Sequence, residues 1–82
     1  MSDQIDGIID VLSELTEDNT VPKNVKVKIE KIKVSLSEKG TEMSLKINKA
    51  LDLLDEVSDD NNLESYTRTQ LWNIASMLES LN

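Results

Sequence analysis

Two stretches decide the fold: "LTEDNTVPKNVK", Leu15–Lys26, and "VSDDNNLESYTR", Val57–Arg68. Each runs from an apolar residue through an acidic Asp/Asn-containing turn to a second apolar residue, then into a segment carrying a base. They lie 42 residues apart. Sliding the chain by that offset sets residues 8–37 on 50–79 without a gap, and seven of the 30 pairs are identical, among them Asp18/Asp60, Asn19/Asn61 and Leu36/Leu78. Nine pairs are apolar on both sides, and Lys26 falls on Arg68. Chance matching of two amphipathic helices accounts for many of the apolar pairs, but accounts less well for the matched Asp-Asn turn. The pattern reads as one helical hairpin used twice, with a period close to that of HEAT and armadillo repeats.

Apolar spacing predicts four helices. The first spans about Asp3–Leu15, with Ser2 as N-cap and Ile5, Ile8, Ile9, Leu12 and Leu15 on one face. The second begins near Pro22, whose missing amide proton suits a first turn, and ends before Gly40. "VKVKIEKIKV" alternates like a strand at first, but Val25, Ile29, Ile32 and Leu36 keep helical spacing. The third follows Thr41 as N-cap and buries Met43, Ile47, Ala50, Leu54 and Val57. The fourth runs from about Leu63 or Glu64 to Ser80, with Leu71, Ile74, Ala75, Leu78 and Leu81 inward. Two repeats are too few for an elongated solenoid. The expected fold is all-α: a compact four-helix assembly in a single domain, residues 1–82, of two hairpins, about 3–39 and 42–81.

Composition narrows the function. The 82 residues contain no Cys and no His, so there are no disulfides, no thiolate chemistry, and neither the commonest general base nor the commonest transition-metal ligand. No Gly-rich phosphate loop is present, and no spacing singles out a catalytic pair of acids. The expectation is a non-enzymatic, cytoplasmic protein with no cofactor and no metal. No apolar run approaches a membrane span. The net charge of −7 is uneven, with −6 in residues 1–20, +4 in 21–40, −4 in 41–62 and −1 in 63–82. Acid, base, acid lets antiparallel neighbours attract, and makes nucleic acid an unfavoured partner for the surface as a whole.

Four groups remain as candidate sites. Val27 and Val34 lie opposite Ile29 and Ile32, so the second helix carries two apolar stripes. Either another helix of the chain or a second molecule covers the outer one, and a homodimer would enlarge a thin core. Arg68 and Trp72, the only Arg and the only Trp, sit one turn apart. They form either an anchor pair for a partner or a clamp, with Trp72 over a seam and Arg68 on an acid. Lys23, Lys26, Lys28, Lys31 and Lys33 fan over the exposed side of the second helix. A nucleic-acid reader would use such a face, here through Lys23, Lys26 and Lys33, but preferably with aromatics between the lysines, and there are none. Asp18-Asn19 and Asp59-Asp60-Asn61-Asn62 lack calcium-loop spacing and read as turn formers.

Three segments also carry a resemblance: "VPKNVK" at Val21–Lys26, "LDEVSDD" at Leu54–Asp60 and "TRTQLWN" at Thr67–Asn73. On these the chain resembles an archaeal family of small uncharacterised proteins, family 0147, over residues 8–81. The resemblance implies an all-helical fold and a cytosolic archaeal protein, and brings no activity with it. The two functional readings are a helical protein–protein interaction module that self-associates and, as the alternative, a nucleic-acid or ribonucleoprotein accessory protein.

Overall fold

The computed structural model describes residues 3–60 and 62–81. It contains four helices: α1 (Asp3–Glu17), α2 (Lys23–Ser37), α3 (Met43–Ser58) and α4 (Ser65–Leu81). Ser2, expected as a cap, and Asn61 lie outside the described residues. The helices run alternately up and down. Asn24 and Lys28, early in α2, meet Asp60 and Glu56 at the far end of α3. At the opposite end Lys46 Nζ donates to the Glu38 carbonyl, 2.6 Å away. The bundle measures 34 × 19 × 18 Å.

One aliphatic core joins all four helices. Its members repeat at the offset seen in the sequence. Residues 5, 8, 12, 15, 21, 25, 29, 32 and 36 are buried, and so is each residue 42 positions later, from Ile47 to Leu78. The turns correspond too. The Thr20 amide donates to Asp18 Oδ1 and the Asn62 amide to Asp60 Oδ1, both at 2.8 Å. These Asx turns reverse the chain without glycine, because the carboxylate stands in for a backbone acceptor. Val21 and Leu63 then drop into the core directly after the turn.

Several boundaries differ from the sequence reading. α1 continues to Glu17, two residues past Leu15. Pro22 is the N-cap of α2 rather than its first helical residue, with extended backbone (φ −59°, ψ 149°), and its carbonyl accepts the Lys26 amide at 3.0 Å. Glu42, not Thr41, caps α3, and Met43 stands exposed at its first turn. Ile9, Ala75 and Leu81 are half-buried at the margin of the core. Gly40 has φ of 81°, the left-handed conformation expected of it, and so turns the chain between the hairpins.

The helices do not pack equally. α2 and α3 pack most closely, α1 packs well on α2, and α1 and α4 approach each other less than any two consecutive helices do. The α1–α4 seam is consequently open. Two polar side chains are buried with hydroxyls that have no hydrogen-bond partner among the described residues: Ser35, 2% exposed, and Thr67, the counterpart of Val25, 1% exposed. A buried hydroxyl without a hydrogen bond costs about 1–3 kcal/mol relative to an apolar isostere. Thr67→Val should therefore stabilise the protein by about 1 kcal/mol, raising the melting temperature by several degrees in a thermal scan followed by circular dichroism.

Candidate interaction surface

The outer stripe of α2 is open to solvent. Val27 is 54% and Val34 63% exposed, and no other helix of the chain covers them. They line a groove of about 480 Å³ between α2 and α3. Leu53 and Ser35 complete its lining, with Lys31 and Lys49 and the acids Glu30 and Glu38 also bordering it. The α3 wall was not read from the sequence. "LDLLDE" offers Leu53 beside Leu54, and only the second is buried in the core. The signal was present in Leu45, Lys49 and Leu53, spaced four apart along one side of the helix.

The lysines of α2 divide by environment. Lys28 Nζ lies 3.7 Å from Glu56 of α3, and Lys33 Nζ 3.4 Å from Glu30 on its own helix. Lys26 is half-buried and close enough to Asp18 to help hold that carboxylate down. Lys23 and Lys31 are exposed. Among the described residues neither ion pair reaches α1, so the expected attraction between the acids of the first helix and the bases of the second is not made as direct contacts.

Arg68 and Trp72 are placed differently from each other. Arg68 donates from Nη1 to the Ser58 carbonyl at 2.7 Å and from Nη2 to the Asp60 carbonyl at 3.1 Å. It satisfies orphan carbonyls where α3 ends and places a cation at the negative end of that helix dipole. Its partners are backbone oxygens, not the side-chain acid expected of a clamp. Trp72 is 68% exposed. Tyr66, 64% exposed, was not singled out in the sequence; its hydroxyl accepts from Gln70 Nε2 at 3.0 Å. Tyr66 and Gln70 line the upper part of the α1–α4 seam with Val11, Glu14 and Glu17, and Met77 and Leu81 line its lower part with Gly7 and Ile8.

Asp18 and Asp60 both have carboxyls displaced from the ordinary value. The Thr20 amide, then the Thr20 hydroxyl, holds Asp18 below the ordinary carboxylate value. The Asn62 amide, then the Asn24 side chain, does the same for Asp60. Both carboxylates are thus occupied within their turns. Among the described residues no three His, Cys, Asp or Glu side chains converge as a metal site requires. No described helix is long and apolar enough to cross a membrane.

The class defined by this geometry is a small all-helical bundle with an open apolar groove between α2 and α3 and a seam between α1 and α4 that is polar in its upper part and apolar in its lower part. The chain belongs to the uncharacterised protein family UPF0147, whose model matches residues 1–81. It is 40% identical over 73 residues to the UPF0147 protein MJ1419 of Methanocaldococcus jannaschii, covering 89% of this chain and 78% of that one. It is 41% identical over 71 residues to the UPF0147 protein TV0625 of Thermoplasma volcanium, covering 87% and 80%. A crystal structure of a protein of unknown function, MMP1188, superimposes with a TM-score of 0.94 at 34% identity, covering 99% of this chain and 92% of the other.

Two outcomes follow from the turns. Arg68→Ala should lower stability by about 1–2 kcal/mol, measured by urea denaturation, because two partly buried charge-assisted bonds are lost. Asp18→Asn keeps Oδ1, which accepts both Thr20 bonds, and removes the titration. A carboxylate with a depressed folded pKa contributes stability above its unfolded value and loses it as pH falls through the folded one. The melting temperature of the wild type relative to Asp18→Asn should therefore fall between about pH 5 and pH 2.

Proposed function

We propose that this chain is a cytoplasmic, non-catalytic interaction module that associates with further copies of itself through the α2–α3 groove. The observation that carries the reading is the exposure of Val27 and Val34 over an apolar groove. Burying such a stripe is favourable by roughly 25 cal/mol per Å² of apolar surface before the costs of association. A helix of 15 residues offers an interface near the small end of the stable range, so the association is weak and concentration-dependent. The core already includes all four helices, so the contact would be made by preformed helices rather than by a segment that orders on binding.

The nucleic-acid alternative has less support. Lys33 is engaged with Glu30, Lys26 is half-buried beside Asp18, and of the three lysines assigned to that reading only Lys23 stands free in solvent. The exposed aromatics, Tyr66 and Trp72, lie on α4 rather than among those lysines.

Sedimentation or light scattering of the wild-type chain at high micromolar concentration should give a mass above 9.2 kDa. Val27→Glu should return the mass to that of one chain while leaving the helical circular dichroism unchanged. A wild-type protein that stays monomeric at such concentrations sinks the proposal.

A further inference from the structure

The self-association proposed above leaves open how the second copy is oriented. The outer line of α2 carries the information. Lys23, Val27, Val34 and Glu38 follow one another at intervals of four, seven and four residues, so they share one side of the helix. All four are exposed. The spacing reads the same from either end, and its midpoint falls between Glu30 and Lys31. The two ends carry opposite charges. Among the described residues Lys23 has no ion-pair partner, and the Glu38 carboxylate holds only the Thr41 hydroxyl, 3.4 Å away.

The α3 wall of the groove follows the same plan. Three contacts fix the register of the two helices: Asn24 to Asp60, Lys28 to Glu56, and Lys46 to the Glu38 carbonyl. That antiparallel register sets Leu53 level with Lys31, beside the midpoint of the α2 line. Glu56 then lies nearly one turn to one side of Leu53, and Lys49 about one turn to the other. Both are exposed. An apolar centre with opposite charges at equal distances on either side is complementary to its own inverted copy.

We infer that two copies pair face to face about a two-fold axis perpendicular to α2, so that Val27 of each meets Val34 of the other and Lys23 of each meets Glu38 of the other. This pairing rests on the self-association reading and adds the orientation and the mate of each side chain. On α3 the same axis brings Leu53 towards its counterpart and Lys49 towards Glu56. The mixed border of acids and bases around the groove is what an isologous contact needs, because one surface must supply both members of every ion pair. Lys31 is the exception and comes beside its own counterpart, where its long stem lets the ammonium turn out to water. Both stripes are used in such a pair, so assembly stops at two chains.

The ends of the α2 line provide the test. Lys23→Glu and Glu38→Lys each set like charges together at both ends of the interface. Each variant alone should associate about tenfold or more weakly than the wild type in sedimentation equilibrium. Mixed in equal amounts they regain opposite charges at both ends, and the two-chain species should return at the concentrations where the wild type forms it. Lys23 and Glu38 of one chain stand roughly 22 Å apart along the helix, so the rescue reports a contact between antiparallel copies and not one within a chain. Circular dichroism checks that each variant keeps the wild-type helix content.

If the wild type forms pairs but the mixture associates no better than either variant alone, the copies do not meet in this register. The inference then fails and the self-association reading survives. Growth of the wild type past two chains has the same meaning, since an isologous pair leaves no stripe free. A wild type that stays monomeric at high micromolar concentration removes both.

Discussion

Everything in this molecule depends on closing an aliphatic core without aromatic help. Both aromatics, Tyr66 and Trp72, stand largely in water, so the buried apolar side chains are all Ile, Leu and Val with one Ala. Such side chains are small and mostly branched, and they fill space only when neighbouring helices interdigitate closely. That requirement accounts for the tight α2–α3 pairing at the centre and for the turn residues Val21 and Leu63 being drawn inward. It also limits what can be spared. A chain of this length buries only about 60% of its unfolded surface, so one loosely packed seam is a large share of its packing.

The turns matter nearly as much as the core. A four-helix ring needs three reversals, and there are only two glycines and one proline in the chain. Gly40 provides the middle reversal through its positive φ. The outer two are made by Asp18 and Asp60, whose carboxylates accept amide protons two residues on. Arg68 then fastens the end of α3 to the start of α4, whereas Lys26 at the equivalent place is only a nearby charge for Asp18. The two hairpins share a burial pattern and a turn hydrogen bond but differ in what fastens their ends.

Much of this was legible in the sequence. Helix number, the stripe of Val25, Ile29, Ile32 and Leu36, the Gly40 conformation and the exposure of Val27 and Val34 all follow from a period of 3.6 and from backbone chemistry. What escaped depends on distances between elements. Periodicity places Leu53 on α3 but cannot say that α2 stands beside it to make a groove. Nor does it say that α4 stands off from α1, since both present good apolar faces. Arg68 illustrates the same limit: a cation near the last turn of a helix has both carboxylates and carbonyls within reach, and the choice is made by a fit of a few ångströms. Met43 was misjudged for a simpler reason, because a residue in the first turn can point past the end of the neighbouring helix.

The placement of Trp72 has a practical consequence. The only indole in the chain is already bathed by solvent when the protein is folded. Its fluorescence therefore carries little information about whether the interior is intact, and an emission spectrum resembling that of a denatured chain is the normal signature of this native state. The same residue would register the arrival of any neighbour on the outer side of α4, making it an optical reporter of contacts rather than of folding.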